Sequence, residues 1–230
     1  MSAHSVLSPQ SSVLVIIPAA GSGSRLGGEI PKQFRMLSGA PILQRVIDRF
    51  AGDPRVAHVV IAVAVPADMK PAERVRFVAG GATRQESVIR ALAAAEGEFD
   101  LVAVHDAVRP FFKTTTFHAL LDAAAEHGAA FPAMAVTDTI HIARDGRLVS
   151  TPERAQLVAA QTPQCFRMAI LRDVLEKAQR DGVGGTDEAG LAARYGYDVR
   201  VLPGDAANFK ITRAEDLAYA ESHFEELSAP

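Results

Sequence analysis

The chain has a single cysteine, Cys165, in 230 residues, so no intramolecular disulfide is open to it. Cys165 also lacks Cys or His neighbours at metal-ligand spacing, which gives no zinc site and fits a reducing compartment. No run of lysine or arginine occurs, and the formal charge is −3 with the basic residues scattered, so the electrostatic footprint of a nucleic-acid binder is missing. No apolar run approaches the roughly 20 residues that span a bilayer. The stretch from Met1 to Ser12 lacks the basic start and apolar middle of a secretory signal. These absences lead us to expect a soluble, cytoplasmic protein with small ligands, no nucleic-acid or membrane partner, and a flexible N-terminus over 1–12.

What is present suits one sizeable core, since 48% of the residues are hydrophobic, and we expect a single domain over 13–230. Val13-Leu14-Val15-Ile16-Ile17 is short, β-branched and stopped by Pro18, as in a strand buried on both faces of a parallel sheet. Helical and strand-like segments then alternate. A helix is expected over Pro41 to Phe50, strands at His58 to Val63, near Phe77-Val78 and at Leu101 to Val104, and a helix through Phe117, Leu120, Leu121 and Ala124. Thr83-Arg84-Gln85-Glu86 and Thr212-Arg213-Ala214-Glu215 have the pattern of capping boxes. After the strand-like Ala129 to Ala133, the stretch Val136 to Thr151 alternates around Asp145-Gly146 as a β-hairpin does. It breaks the α/β rhythm, and such an arm packs either on a second copy or on its own domain. Gln156 to Ala160, a helix around Met168 to Arg180, a helix opened by Thr186-Asp187-Glu188 and a strand at Val199 to Leu202 complete the pattern.

The first strand runs into Pro18-Ala19-Ala20-Gly21-Ser22-Gly23-Ser24-Arg25-Leu26-Gly27-Gly28, with Pro31-Lys32 beyond it. Glycines at a strand end let backbone N–H groups approach phosphate oxygens, and Arg25 and Lys32 add positive charge where a triphosphate would lie. The glycines alone equally suit a surface turn; the two cations favour the phosphate site. A dinucleotide fingerprint fails because Leu26 stands where its third glycine belongs, and a P-loop fails because Glu29-Ile30 follow Gly28. His105-Asp106 with Arg109 ends another buried strand, where open parallel sheets bind ligands. Asp106 suits a ribose, a hydroxyl or a metal-bound phosphate, and Arg109 a second phosphate, unless the two are simply a local ion pair. Gly80-Gly81 before a helix start could read a base edge, with Ser87 one turn on, although capping alone explains much of that segment. Lys210 could reach the same cleft and is otherwise an ordinary surface lysine.

Together Pro18-Ala19-Ala20-Gly21, Arg25, Pro31-Lys32-Gln33, Gly80-Gly81 with Arg84 and Ser87-Val88, His105-Asp106 with Arg109-Pro110, Gln161-Thr162-Pro163-Gln164, Thr186-Asp187-Glu188-Ala189 and Lys210-Ile211-Thr212 resemble the 2-C-methyl-D-erythritol 4-phosphate cytidylyltransferases. The resemblance runs from Val13 to about Tyr219 with its blocks in the family's order. It implies a Rossmann-like nucleotidyltransferase fold, a mostly parallel sheet flanked by helices, with a protruding β-arm over 136–155 that joins a homodimer. It implies transfer of CMP from CTP to 2-C-methyl-D-erythritol 4-phosphate in the non-mevalonate isoprenoid pathway, with Mg²⁺ held mainly by the CTP phosphates. Arg25, Lys32, Arg154 and Lys210 would be catalytic. Ala19, Ala20, Gly21, Gly23, Gly81, Ser87 and Asp106 would hold the nucleotide. Asp106, Arg109, Thr139, Arg154, Thr162 and Lys210 would face the acceptor, Thr139 and Arg154 reaching across to the partner subunit. Val108 stands where the family usually has Ala, and His141 where Lys often follows Asp-Thr-Ile, so the arm's charge differs. The alternatives are a cytidylyltransferase for another polyol phosphate, such as ribitol 5-phosphate, and a nucleotide-binding regulator without turnover.

Overall fold

The computed structural model describes residues 12–21, 30–64 and 73–229. Strands β1 (Val13–Ala19), β2 (Met36–Leu37) and β3 (Ala40–Pro41) lead into helix α1 (Ile42–Ala51), β4 (Val56–Val63), β5 (Val75–Ala79), α2 (Arg84–Ala93), β6 (Leu101–Val104), α3 (Thr114–His127) and β7 (Ala129–Ala135). The hairpin strands β8 (Ile142–Arg144) and β9 (Arg147–Ser150) follow, then β10 (Val158–Ala160), β11 (Gln164–Arg167), α4 (Met168–Arg180), α5 (Glu188–Arg194), β12 (Val199–Pro203), α6 (Ala214–Ser222) and α7 (Phe224–Ser228).

β1 lies inside an eight-stranded sheet, parallel to β4 on one side and to β6 on the other. Its alternate side chains therefore meet two different cores. Val13, Val15 and Ile17 join Leu43, Val46 and Phe50 of α1 and Phe117 and Leu120 of α3. Leu14 and Ile16 join Val88 and Leu92 of α2, Leu171 and Val174 of α4, and Leu191 of α5. The result is a helix, sheet, helix sandwich, the layering that double-sided burial of β1 requires. A third cluster of Leu37, Ile42, Val108, Phe111, Ile211 and Leu227 seats the C-terminal helices against the segment that follows β6.

β5 extends the sheet past β4, and β12 pairs parallel with β7. β11 is the exception: it runs antiparallel between β6 and β7. β10 also pairs antiparallel with β7, at Ala133 to Ala135, so β10 and β11 follow one another along a single edge of β7 while β12 takes the opposite edge. The sequence did not signal β11, because Gln164-Cys165-Phe166-Arg167 is too short to establish a period and follows a proline.

The Asp145-Gly146 turn is as expected. Both residues have positive φ, 50° and 73°, which the two-residue turn between β8 and β9 demands and which Gly and Asp tolerate. Among the described strands β8 and β9 pair only with each other, and every residue in them is exposed. The expected capping boxes are both modified. Thr83 accepts from the Glu86 N–H, but the Glu86 carboxylate reaches back to the N–H of Ala82 rather than Thr83. At α6 the cap moves on by one residue, with Asp216 accepting from the N–H groups of Thr212 and Arg213. Among the described residues no helix is long and apolar enough to cross a membrane.

Phe50 stacks on Phe112 at 4.3 Å and meets Phe117 edge-on at 5.2 Å and the His105 ring at 5.1 Å. Truncating so enclosed a ring leaves a cavity beneath the end of β6. Phe50→Ala should therefore lower the urea midpoint by an amount equivalent to about 3–5 kcal/mol. A loss under about 1 kcal/mol would mean that the neighbouring rings collapse into the space.

Candidate active site

The parallel strands β1, β5 and β6 end at the same side of the sheet, and a cleft of about 180 Å³ opens there. Ala19, Ala20 and Gly21 supply one wall, Gly81 and Ser87 a second, and Asp106, Lys210 and Lys32 project at its rim or floor. These expected residues thus converge from five separate stretches of chain. Gly23 and Arg25 lie outside the described residues.

Each wall is pinned by side chains whose hydrogen bonds are spent locally. The Gln33 carboxamide is buried and donates to the carbonyls of Ala19, at 2.7 Å, and Gly21, at 3.1 Å, which folds the segment carrying Lys32 back against the end of β1. Ser87 Oγ accepts from the Gly81 N–H at 3.0 Å and donates to the Thr83 carbonyl at 2.9 Å, fixing the Gly80-Gly81 turn. The two walls touch at Gly80. A Cβ there would lie 2.3 Å from the Ala20 Cβ, so only glycine permits this approach.

Asp106 is the one acidic side chain lining the cleft among the described residues, and three cations face it. Lys210 Nζ lies 2.9 Å and Arg109 Nε 3.3 Å from Oδ2, while Arg84 Nε lies 3.4 Å from Oδ1. Burial alone would push this carboxyl up, but Lys210, Arg84 and Arg109 together hold it far below the ordinary carboxylate range. Arg109 is anchored on its other side by donating from Nη1 to the Asn208 carbonyl at 2.8 Å. The local ion pair weighed for Asp106 and Arg109 does exist, and it is one arm of this larger cluster.

Behind Asp106 the hydrogen bonds run in one direction only. His105 is fully buried, and its Nε2 lies 2.9 Å from the Arg109 carbonyl, which can only accept. Nε2 therefore carries the proton, and Nδ1 accepts from the Thr162 hydroxyl at 3.0 Å. The same Thr162 oxygen accepts from the Asp106 N–H at 3.0 Å. Thr162 was assigned to the acceptor; its side chain is buried behind Asp106, where it fixes the backbone of that loop. Thr139 and Arg154 are exposed and do not line the cleft of their own chain, and Arg154 donates to the Thr137 carbonyl at 2.9 Å.

The sequence reading gave Arg84 and Gln33 no role at the site, and Glu188 only that of an acid at the positive end of its helix. Arg84 and Gln33 sit inside the motifs, so their presence was legible, but their partners were not. The partner of Arg84 is Glu188, 1% exposed, whose two oxygens each lie 2.7 Å from Arg84 Nη1. Burial lowers the guanidinium's affinity for its proton, yet Glu188 and Asp106 outweigh this and raise it. In total the cleft presents an excess of positive charge next to backbone turns, an arrangement that suits a polyphosphate.

Comparison with known proteins identifies the fold and the family. A sequence model of the IspD family, 2-C-methyl-D-erythritol 4-phosphate cytidylyltransferase, matches residues 13–226. The enzyme of that name from Solibacter usitatus is 42% identical over 94% of this chain and 97% of its own. The crystal structure of the Thermus thermophilus enzyme superposes with a TM-score of 0.77 at 36% identity, covering 92% of this chain and 98% of that one. The Francisella tularensis structure does so with a TM-score of 0.83 at 29% identity, covering 91% and 98%. Sheet order, flanking helices and strand-end cleft together make this a nucleotidyltransferase fold. Within that class the chain belongs to the 2-C-methyl-D-erythritol 4-phosphate cytidylyltransferase family.

The neutral state of His105 has a measurable consequence. Burial lowers its pKa to about 3, against about 6.5 for an exposed histidine. Between those values the unfolded chain binds a proton that the folded chain refuses, so the contribution is complete above about pH 6.5 and is lost as pH falls toward 3. Urea unfolding should show His105 contributing about 1.4 kcal/mol per pH unit across this window. His105→Gln, which keeps a side-chain donor, should remove that part of the slope. An equal slope in both proteins would mean that His105 is protonated in the fold.

Proposed function

We infer that this chain transfers CMP from CTP to 2-C-methyl-D-erythritol 4-phosphate, giving 4-diphosphocytidyl-2-C-methyl-D-erythritol and pyrophosphate in isoprenoid precursor synthesis. One observation carries the chemistry: Lys32, Arg84 and Lys210 line a cleft that has a single carboxylate among the described residues, and Arg109 backs that carboxylate. An oxygen of the acceptor phosphate forms a bond to the α-phosphorus of CTP, and the bond from that phosphorus to the β-phosphate bridge oxygen breaks. A phosphate monoester is largely ionised at neutral pH, so the nucleophile needs no general base. The obstacle is the approach of one polyanion to another, and it is overcome by cations and in-line positioning.

Lys32, with Arg25 in the segment outside the described residues, is assigned to the charge growing at the α-phosphate. Ala19, Ala20, Gly21, Gly81 and Ser87 would receive the nucleotide, with Gly23 in the same glycine segment as Arg25. Arg109 and Lys210 would take the acceptor side, Thr162 acting through the Asp106 loop. Mg²⁺ is assigned mainly to the CTP phosphates, because Asp106, the one carboxylate lining the cleft among the described residues, already faces Lys210, Arg84 and Arg109. Bound there, the ion would supply charge neutralisation on the phosphates. The reaction is assigned to the cytoplasm.

The arm is assigned to a homodimer. Ile142, Leu148 and Val149 are 50%, 64% and 57% exposed on a hairpin that pairs with no other described strand, and such apolar surface calls for a cover. A second copy would provide it and would let Thr139 and Arg154 enter the neighbouring cleft.

The decisive assay is pyrophosphate release from CTP with Mg²⁺ and each acceptor. Activity with 2-C-methyl-D-erythritol 4-phosphate should exceed that with ribitol 5-phosphate; the reverse preference, or CTP binding without release, would overturn the assignment. Lys32→Ala should lower kcat by about 10²-fold or more with the fold intact, as loss of a transition-state charge donor does. A change confined to CTP affinity would make Lys32 a ground-state ligand.

Sharing of the site is tested by mixing. Arg154→Ala should impair the acceptor side and leave CTP affinity nearly unchanged. A mixed dimer of Arg154→Ala and Lys32→Ala chains gathers both lesions in one site and leaves the other whole, so activity should partly return. No recovery after verified subunit exchange would confine Arg154 to its own chain.

A further inference from the structure

Gln164 and the run Asp187-Glu188-Ala189 have no part in the chemistry above, and Arg84 entered it only as one of the cations at the cleft. In the fold they form one connected chain that ends on Asp106. Gln164 opens β11, opposite Val104 at the end of β6. Its carboxamide donates to Asp187 Oδ2 at 2.8 Å and accepts from the Ala189 N–H at 2.9 Å, while Asp187 Oδ1 accepts from the Gly190 N–H at 2.9 Å. The first turn of α5 is thereby fixed against β11. That turn presents Glu188 to Arg84, and Arg84 faces Asp106, which follows directly from β6. The path closes on itself across the sheet.

We propose that Glu188, which does not line the cleft, is a positioning residue of the transfer reaction: by clamping Arg84 it keeps Asp106 in place while Lys210 is drawn onto substrate phosphate. The argument rests on the function proposed above and on how the two oxygens of Asp106 are divided. Oδ2 is shared by Lys210 and Arg109, and Oδ1 faces Arg84 alone among the three. A phosphate that engages Lys210 competes with Asp106 for the same ammonium group. Arg109, the other cation at Oδ2, is assigned to the acceptor as well, so the carboxylate then depends on the cation at its other oxygen. An unclamped Arg84 at the cleft wall would itself turn to the triphosphate, the strongest anion present, and release Asp106. Glu188 prevents this because it is buried, lies 2.7 Å from Arg84 through both oxygens and cannot follow the ligand.

This role differs in sign from that of a structural staple between α2 and α5. Removing a staple would loosen the Gly80-Gly81 turn that α2 carries and weaken CTP binding. Removing the clamp frees a cation beside the triphosphate site. Glu188→Gln, close to isosteric, should therefore lower kcat by about 10-fold or more while the KM for CTP stays level or falls. In an Arg84→Met background the additional Glu188→Gln change should alter kcat less than about twofold, because Glu188 acts only through Arg84. A raised KM for CTP, or losses that multiply in the double variant, would overturn the proposal. If Glu188→Gln does not fold, Arg84→Lys serves: it retains a charge facing Glu188 but lacks the planar fork that spans to Asp106, and wild-type kcat in that variant would sink the idea. Direct CTP binding separates this question from the function itself. Should the wild-type chain transfer nothing to the acceptor, the assigned activity fails, and the clamp is judged by binding alone: Glu188→Gln must hold CTP at least as tightly as wild type, and Arg84→Met must abolish the difference.

Discussion

One buried carboxylate facing three cations is the constraint around which the rest of the molecule is arranged. Asp106 is 8% exposed, and bringing it together with Lys210, Arg84 and Arg109 removes much of the water that would otherwise solvate all four. Such a cluster is tolerable only when every member has a partner and the geometry is held from outside. The surroundings meet that requirement. Asn208 anchors Arg109, Glu188 anchors Arg84, and Ile211, beside Lys210, is buried in the cluster that includes Leu37 and Val108. The cations are thus held close together by the fold itself, with Arg109 and Arg84 each fixed by a second partner.

The antiparallel strand β11 explains how so many of these anchors reach one place. In a purely parallel sheet only residues that follow strands gather at the ligand end. Because β11 runs against its neighbours, the residues that precede it gather there too. Thr162 can thus stand behind Asp106, and Gln164 can hold the first turn of α5, because the start of β11 lies at that end of the sheet. The inserted strand contributes supports to the same rim on which the segments following β1, β5 and β6 place cleft-lining groups.

The sequence revealed elements whose pattern is local. Leu101–Val104 and Met168–Arg180 appear where periodicity puts them, and the glycine turn of the hairpin is set by two residues. Boundaries drifted where burial overrode local signals: β1 continues through Pro18 to Ala19 because β4 pairs with it over that length. Glu188 shows the limit most clearly. As an acid in a first turn it suits the positive end of a helix, yet its partner lies on α2, 104 residues away, and no spacing rule connects them. The candidate ligand groups at the cleft were legible because glycine turns and strand ends mark them. Their supports were not, because a buried glutamine or glutamate gains its meaning only from the tertiary fold.

The same distinction bears on the arm. Its strands and turn follow from local sequence, but its exposed Ile142, Leu148 and Val149 bury little within the chain. A hairpin of seven strand residues is too small to be stable in isolation, so a persistent arm implies a surface that receives it. The cleft poses the complementary problem. Lys210 and Arg109 are in place near Asp106, whereas Arg154 and Thr139, assigned to the same acceptor, stand on the exposed arm. If one contact satisfies both needs, the apolar surface that must be covered and the cation that must be delivered belong to the same arm, and assembly becomes a condition of catalysis rather than an accompaniment to it.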